Sequence, residues 1–131
     1  VKDKRLALLV GHCMPDSFGL TRLITRSAPG TKAVRVNSDQ SLNKHLDAAS
    51  LLLVNRQLDG RFSVSMGVDL IAALRVEGIT TPMMLVSNYP EAQASAVHAG
   101  ALPGFGKQDL RDRSVADRLK QALDSGAPGQ S

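Results

Sequence analysis

Tryptophan is absent from this chain, cysteine occurs once, and only four residues are aromatic: Phe18, Phe62, Tyr89 and Phe105. A single thiol, Cys13, excludes an intrachain disulfide and fits a reducing, cytoplasmic setting. So few aromatic faces leave little for nucleic-acid bases to stack on. The formal net charge of +4 comes from sixteen Lys and Arg scattered along the chain, which reads as a solvated surface. Nucleic acid is therefore not an expected partner. No apolar run approaches the roughly 18–20 residues that span a bilayer, so no membrane partner is expected either. Lys2, Lys4 and Arg5 lead only into the short segment RLALLV, which is no signal peptide. Val1 stands where a whole chain would carry Met, which fits a piece of a longer protein.

What the sequence does contain is a regular alternation. KRLALLVGH (4–12), KAVRV (32–36), LLLVN (51–55) and TPMMLVS (81–87) are short apolar runs bounded by turn signals, as buried strands are; LPGFGK (102–107) is a weaker fifth. Helical spacing separates them. Leu20, Leu23 and Ile24 share a face after Pro15 and Asp16; Leu42 and Leu46 follow Ser38 or Asp39 as caps. Leu70, Ile71 and Leu74 precede the terminator Gly78, and Pro90 opens an alanine-rich helix that stops at Gly100. The last helix carries Val115, Leu119 and Leu123, and DSGAPGQS has the composition of a linker.

Five β-then-α units imply a parallel sheet covered on both faces. Right-handed crossovers leave two main layouts, flavodoxin-like or Rossmann-like. The flavodoxin-like one is an α/β (βα)5 doubly wound sheet of strand order 2-1-3-4-5, with one domain over 4–124 and a C-terminal linker or tail over 125–131. In that order a crevice opens above strands one and three, where Gly11, His12, Cys13, Asn55 and Arg56 are expected to meet.

In this arrangement the chain resembles the receiver (response-regulator) domains of two-component signalling, over residues 4 to about 124. LALLV precedes the site of the family's acidic pair, and PDSFGLTRLI resembles its first helix. LLLVN ends where the family has its phosphate-accepting aspartate, and GVDLIAALR resembles the helix after the next loop. LVS ends in Ser87, at the family's Ser or Thr, and Lys107 follows Gly100 by seven residues, like the family's lysine. The resemblance implies the receiver fold and a role in signal transduction.

The departures matter as much. Phosphoryl transfer to a receiver needs a carboxylate nucleophile, and a Mg²⁺ ion held by hard oxygen ligands. Here Gly11 and His12, or His12 and Cys13 in the neighbouring register, stand at the acidic pair, and Asn55 stands at the acceptor. Asp16 reads as a first-turn helix residue and Asp59-Gly60 as a turn. The family's aromatic three positions before the lysine is Gly104, and Gln108 replaces the proline after it, so no cis peptide is expected there.

These departures imply a pseudo-receiver: no enzyme, no metal, no cofactor, and a degenerate phosphorylation pocket made of Gly11, His12, Cys13, Asn55, Ser87 and Lys107. It would act by binding a protein partner or a second copy of itself. The resemblance implies the fourth and fifth helices with the fifth strand as the partner surface, with which the apolar fourth helix is compatible. Asn55 reads first as a strand-end amide that ties down its loop. The other reading takes Asn55, Arg56, Ser87 and Lys107 as a net positive pocket for a small anion or nucleotide. His12 and Cys13 read as a buried or half-buried structural pair, since His45 and His98 belong to other helices. The charges of the last helix, Arg111, Arg113, Arg118 and Lys120 among Asp109, Asp112 and Asp117, read as a solvated, salt-bridged face.

Overall fold

The computed structural model describes residues 5–125. Strands β1 (Leu6–Val10), β2 (Lys32–Val36), β3 (Leu51–Asn55), β4 (Met83–Val86) and β5 (Leu102–Phe105) alternate with helices α1 (Met14–Ser27), α2 (Asp39–Leu46), α3 (Gly67–Val76), α4 (Pro90–His98) and α5 (Arg113–Ser125). All pairings are parallel and the order is β2-β1-β3-β4-β5, the flavodoxin-like order expected from the sequence. Residues 126–131 of the predicted tail lie outside the described residues, whereas Asp124 and Ser125 close α5.

Each central strand is apolar on both sides because helices cover both sides. Leu9, Leu51, Leu53, Met84 and Val86 pack under α1 and α5, against Leu20, Leu23, Ile24, Val115, Leu119 and Leu123. The alternate residues Leu8, Val10, Leu52, Val54, Met83 and Leu85 pack under α2, α3 and α4, against Leu42, Leu70, Ile71, Leu74 and Ala96. The two-residue side-chain period of a strand thus feeds two separate cores. Among the described residues no helix is long and apolar enough to cross a membrane.

Helix starts follow local chemistry. Ser38 caps α2, its Oγ accepting from the Ser41 N–H at 3.0 Å. Helix α1 begins at Met14, and the buried Ser17 hydroxyl donates to the Cys13 carbonyl at 2.8 Å. The edge strand β5 is irregular. Met84 pairs with Leu102 and Val86 with Phe105, so β5 holds one residue more than β4 between the same two rungs. This is a β-bulge, and it sits at Pro103-Gly104.

Candidate functional site

The carboxyl ends of β1, β3 and β4 deliver the predicted site residues to one end of the sheet, but not all to one place. A cleft of about 560 Å³ is lined there by Asn55, Arg56, Ser87 and Lys107 together with Asp59, Asn88, Tyr89 and Gln108, among others. Gly11, His12 and Cys13 do not line it. Gly11 meets Asn55 behind the cleft wall, as expected, but His12 turns into the core and Cys13 does not line the cleft, which corrects the expected meeting for these two.

Gly11 lies directly behind Asn55. Its φ of +76° suits glycine, and its carbonyl accepts from the Asn55 Nδ2 at 3.0 Å and from the Asp59 N–H at 2.9 Å. Leu58 fills the space in front of it. A Cβ on Gly11 would lie 2.6 Å from Leu58 Cδ2 and 3.1 Å from Leu58 Cα. An apolar side chain therefore fills the space that a side chain on residue 11 would need.

His12 turns away into the core. It is fully buried, and its Nε2 lies 2.9 Å from the Leu53 carbonyl oxygen, which it meets as a donor. Nδ1 has no partner among the described residues. Burial pushes the imidazole pKa down from 6.5 to about 4, with Lys107 and Arg35 adding to the depression and the Leu53 bond and Asp16 opposing it. The ring is neutral at pH 7. Cys13 is half-buried at the start of α1.

The Asn55 amide is engaged at nearly every position. Nδ2 donates to Gly11 O and to Gln57 O, at 3.0 and 2.9 Å, and Oδ1 accepts from the Arg56 N–H at 3.1 Å. The loop after β3 is held just as closely. Leu58 N–H donates to Ser65 O, Arg61 N–H to Asn37 O, and Asp39 N–H to Arg61 O, at 2.8, 2.8 and 3.1 Å. Asn37 Nδ2 adds a bond to Asp59 O at 2.7 Å, and Gly60 lies so close to the Asn37 carbonyl that no Cβ could fit there. This loop is part of the scaffold.

The remaining cleft residues are also paired. Ser87 is buried, and its Oγ accepts from the Tyr89 N–H at 3.1 Å. The Arg56 guanidinium carbon stacks 4.7 Å from the centroid of the half-exposed Tyr89 ring. Lys107 opens a 3₁₀ turn, Lys107–Asp109, and its Nζ bonds Asp16 Oδ2 at 2.6 Å. That bond, aided by the Cys13 thiol, holds the Asp16 carboxyl below the usual carboxylate range. Of the cations expected to make the pocket net positive, Lys107 is paired with Asp16 across 91 residues of sequence, while Arg56 lines the cleft stacked on Tyr89.

A receiver's Mg²⁺ does not fit these residues. Gly11 offers no side chain, Leu58 closes the space before it, His12 faces the core, and Asn55 is neutral. The nearest acids are Asp16, already bound to Lys107, and Asp59 at the rim of the cleft. No group of three His, Cys, Asp or Glu able to hold a metal occurs among the described residues.

The fold and the cleft define a five-stranded doubly wound domain with its polar site over the strand-order reversal. No protein-family model matches the sequence, and no curated protein does. Solved structures match the fold. A putative response regulator from Chloroflexus aurantiacus is 18% identical with a TM-score of 0.74, covering 92% of this chain and 98% of that one. A response regulator receiver protein from Pseudoalteromonas atlantica is 20% identical with a TM-score of 0.70 over the same shares. An orphan response regulator of Helicobacter pylori is 15% identical with a TM-score of 0.66, covering 94% and 99%. At these identities the likeness is one of fold: the chain has the fold of response-regulator receiver domains.

Two side chains central to this end of the molecule carried no sequence signal. Leu58 looks like an ordinary loop residue, and Gln93 of α4 looks like a solvated helix residue. The last helix departs from its expectation at Arg118. Lys120 does pair with Asp124, at 3.1 Å, but Arg118 donates to Pro103 O and Gly104 O, at 2.7 and 3.0 Å. Asp112 caps the Ser114 N–H and Asp109 accepts from the Gly106 N–H. Arg111, Asp112, Arg113, Asp117 and Lys120 are exposed, as expected of a solvated face, while Arg118 is drawn to the β5 backbone.

Proposed function

We propose that this chain is a pseudo-receiver of cytoplasmic signal transduction, a protein-interaction module that works without aspartyl phosphorylation and catalyses no reaction. One observation carries the reading. At the acceptor position the Asn55 amide is spent on Gly11, Gln57 and Arg56, and at the acidic position Leu58 covers a glycine. A neutral amide is a poor nucleophile, and an apolar plug cannot offset the charge of an incoming phosphoryl group. The face formed by α4, β5 and α5 supports a binding role, since Val97 and Leu102 are 44% and 41% exposed there. A protein partner or a second copy of the chain is the proposed occupant.

Incubation with acetyl phosphate and Mg²⁺, followed by intact-mass spectrometry, should leave the mass unchanged. A stoichiometric phosphoryl adduct that hydroxylamine removes, as it removes an acyl phosphate, would overturn the proposal.

A second reading, a sensor of a small anion or nucleotide, has one observation in its favour: Asn55, Arg56, Ser87 and Lys107 do line one cleft. Its weakness is that each has a partner already, in Gly11, Tyr89 or Asp16. Thermal melts in phosphate, sulfate or nucleotide up to millimolar levels should show no concentration-dependent rise. A ligand bound only by the folded state would raise the midpoint with its concentration, and such a rise would favour the sensor.

A further inference from the structure

The β5 bulge needs explaining, because it breaks a parallel ladder at Pro103, which has no N–H to donate, and at Gly104. Backbone groups freed by a bulge must find other partners. Here two side chains from the two flanking helices supply them. Gln93 of α4 donates through Nε2 to Leu85 O at 2.9 Å and Ser87 O at 3.1 Å, with a longer contact of 3.4 Å to Phe105 O. Its Oε1 accepts from the Gly104 N–H at 3.1 Å. Arg118 of α5 donates to the carbonyls of Pro103 and Gly104. Both polar groups of the Gly104 residue are therefore held by side chains, one from each side of the strand.

The fit is specific to these residue types. A primary amide both donates and accepts, as this set of carbonyls and one N–H requires, whereas a carboxylate would only accept. A Cβ on residue 104 would lie 2.0 Å from Leu85 O and 2.8 Å from Gln93 Oε1. The glycine that stands in place of a bulky side chain is what lets the amide enter. The same amide reaches Ser87, at the cleft end of β4, and Gly104, two residues from the exposed Leu102.

We propose that Gln93 and Arg118 form a latch that fixes β5 in one register, so that the α4–β5–α5 face is presented in a single, constitutive form. The proposal rests on the interaction-module reading and deepens it: the partner surface is locked from within, not switched from the cleft. Gln93 acts as a positioning residue, because displacing Gly104 would break its bonds to β4 and β5 together.

Backbone ¹⁵N relaxation dispersion and amide hydrogen exchange test it on the full chain. In the wild type, Val86, Ser87, Gly104 and Phe105 should give flat dispersion profiles. Gln93→Met keeps the length but loses the amide. It should introduce millisecond exchange at those residues and speed their hydrogen exchange at least tenfold over the rest of the sheet. Arg118→Met should do the same at Gly104 and Phe105. Leu123→Ala, a core change in α5, serves as control and should raise exchange throughout without singling out β5.

Two results would overturn the latch: dispersion at these amides in the wild type, or a Gln93→Met spectrum whose exchange rises uniformly as in the control. Dispersion in a wild type that takes no phosphoryl adduct would remove the latch and leave the interaction-module reading standing. An adduct in a protein with flat profiles would do the reverse.

Discussion

Asn55→Asp should lower the stability of the fold by about 2–4 kcal/mol and still give no phosphate acceptor. The wild-type amide donates twice, to the Gly11 and Gln57 carbonyls. A carboxylate of the same shape has no proton to give. Two bonds worth about 1 kcal/mol each disappear, and a negative oxygen is left against two carbonyl oxygens, which adds a cost of similar size. Urea unfolding at pH 7 measures the loss. Those carbonyls would raise the new carboxyl's pKa above its unfolded value, so the penalty is full above the folded pKa and shrinks as pH falls through it. Equal stability of the two proteins at pH 7 would show that the amide bonds hold nothing. Acetyl phosphate should leave the variant unmodified, because no group of ligands able to hold a divalent cation occurs beside the new carboxylate among the described residues. Adding Gly11→Asp would come at a cost, since the φ of +76° strains any side chain there and Leu58 Cδ2, 2.6 Å from the Cβ position, would have to move. On the proposed reading, the chain departs from a phosphorylatable receiver by packing as well as by one residue type.

That distinction marks where the sequence could be read and where it could not. The strands were legible because burial on both faces writes continuous apolar runs, and LLLVN and KAVRV match β3 and β2 residue for residue. The alternation of elements narrowed the strand order to two layouts, and the resemblance to receiver domains pointed to the one observed. The ends were harder: the run 81–87 shortens to Met83–Val86, since Pro82 cannot donate to a ladder. Asn55, Ser87 and Lys107 were legible as positions at strand ends. Their chemistry was not, because it depends on contacts remote in sequence. Asp16 and Lys107 meet only once α1 and the β5–α5 connection fold side by side. Leu58 looks like any loop leucine until the loop folds back over Gly11. Gln93 and Arg118 carry the ordinary code of a solvated helix, and nothing local announces that a bulge will call them inward. Polar residues are read as surface by default, so those recruited to satisfy irregular backbone are the ones a sequence conceals.

His12 leads to the last expectation, a stability that falls with acid well before carboxylates titrate. The ring is fully buried with a pKa of about 4, against an unfolded value of 6.5. Between these values the unfolded chain binds a proton that the folded chain refuses, so stability rises with pH across this window. Above pH 6.5 both states are neutral and the effect is absent; below about 4 it is complete, at about 3 kcal/mol. Asp16 acts lower. Its depressed pKa contributes stability that is present above the unfolded carboxylate value and lost as pH falls through the folded one. Lys107 and Arg35 also lower the imidazole pKa and Asp16 raises it, but burial is the largest cause. His12→Gln keeps a donor for Leu53 O and removes the titration. Urea midpoints from pH 7.5 to 4.5 should fall steeply in the wild type and stay nearly level in the variant. Parallel slopes in the two proteins would place the acid sensitivity elsewhere. The physical reason for expecting a difference is the unpartnered Nδ1: protonating it would put a charge into a core that offers it no acceptor.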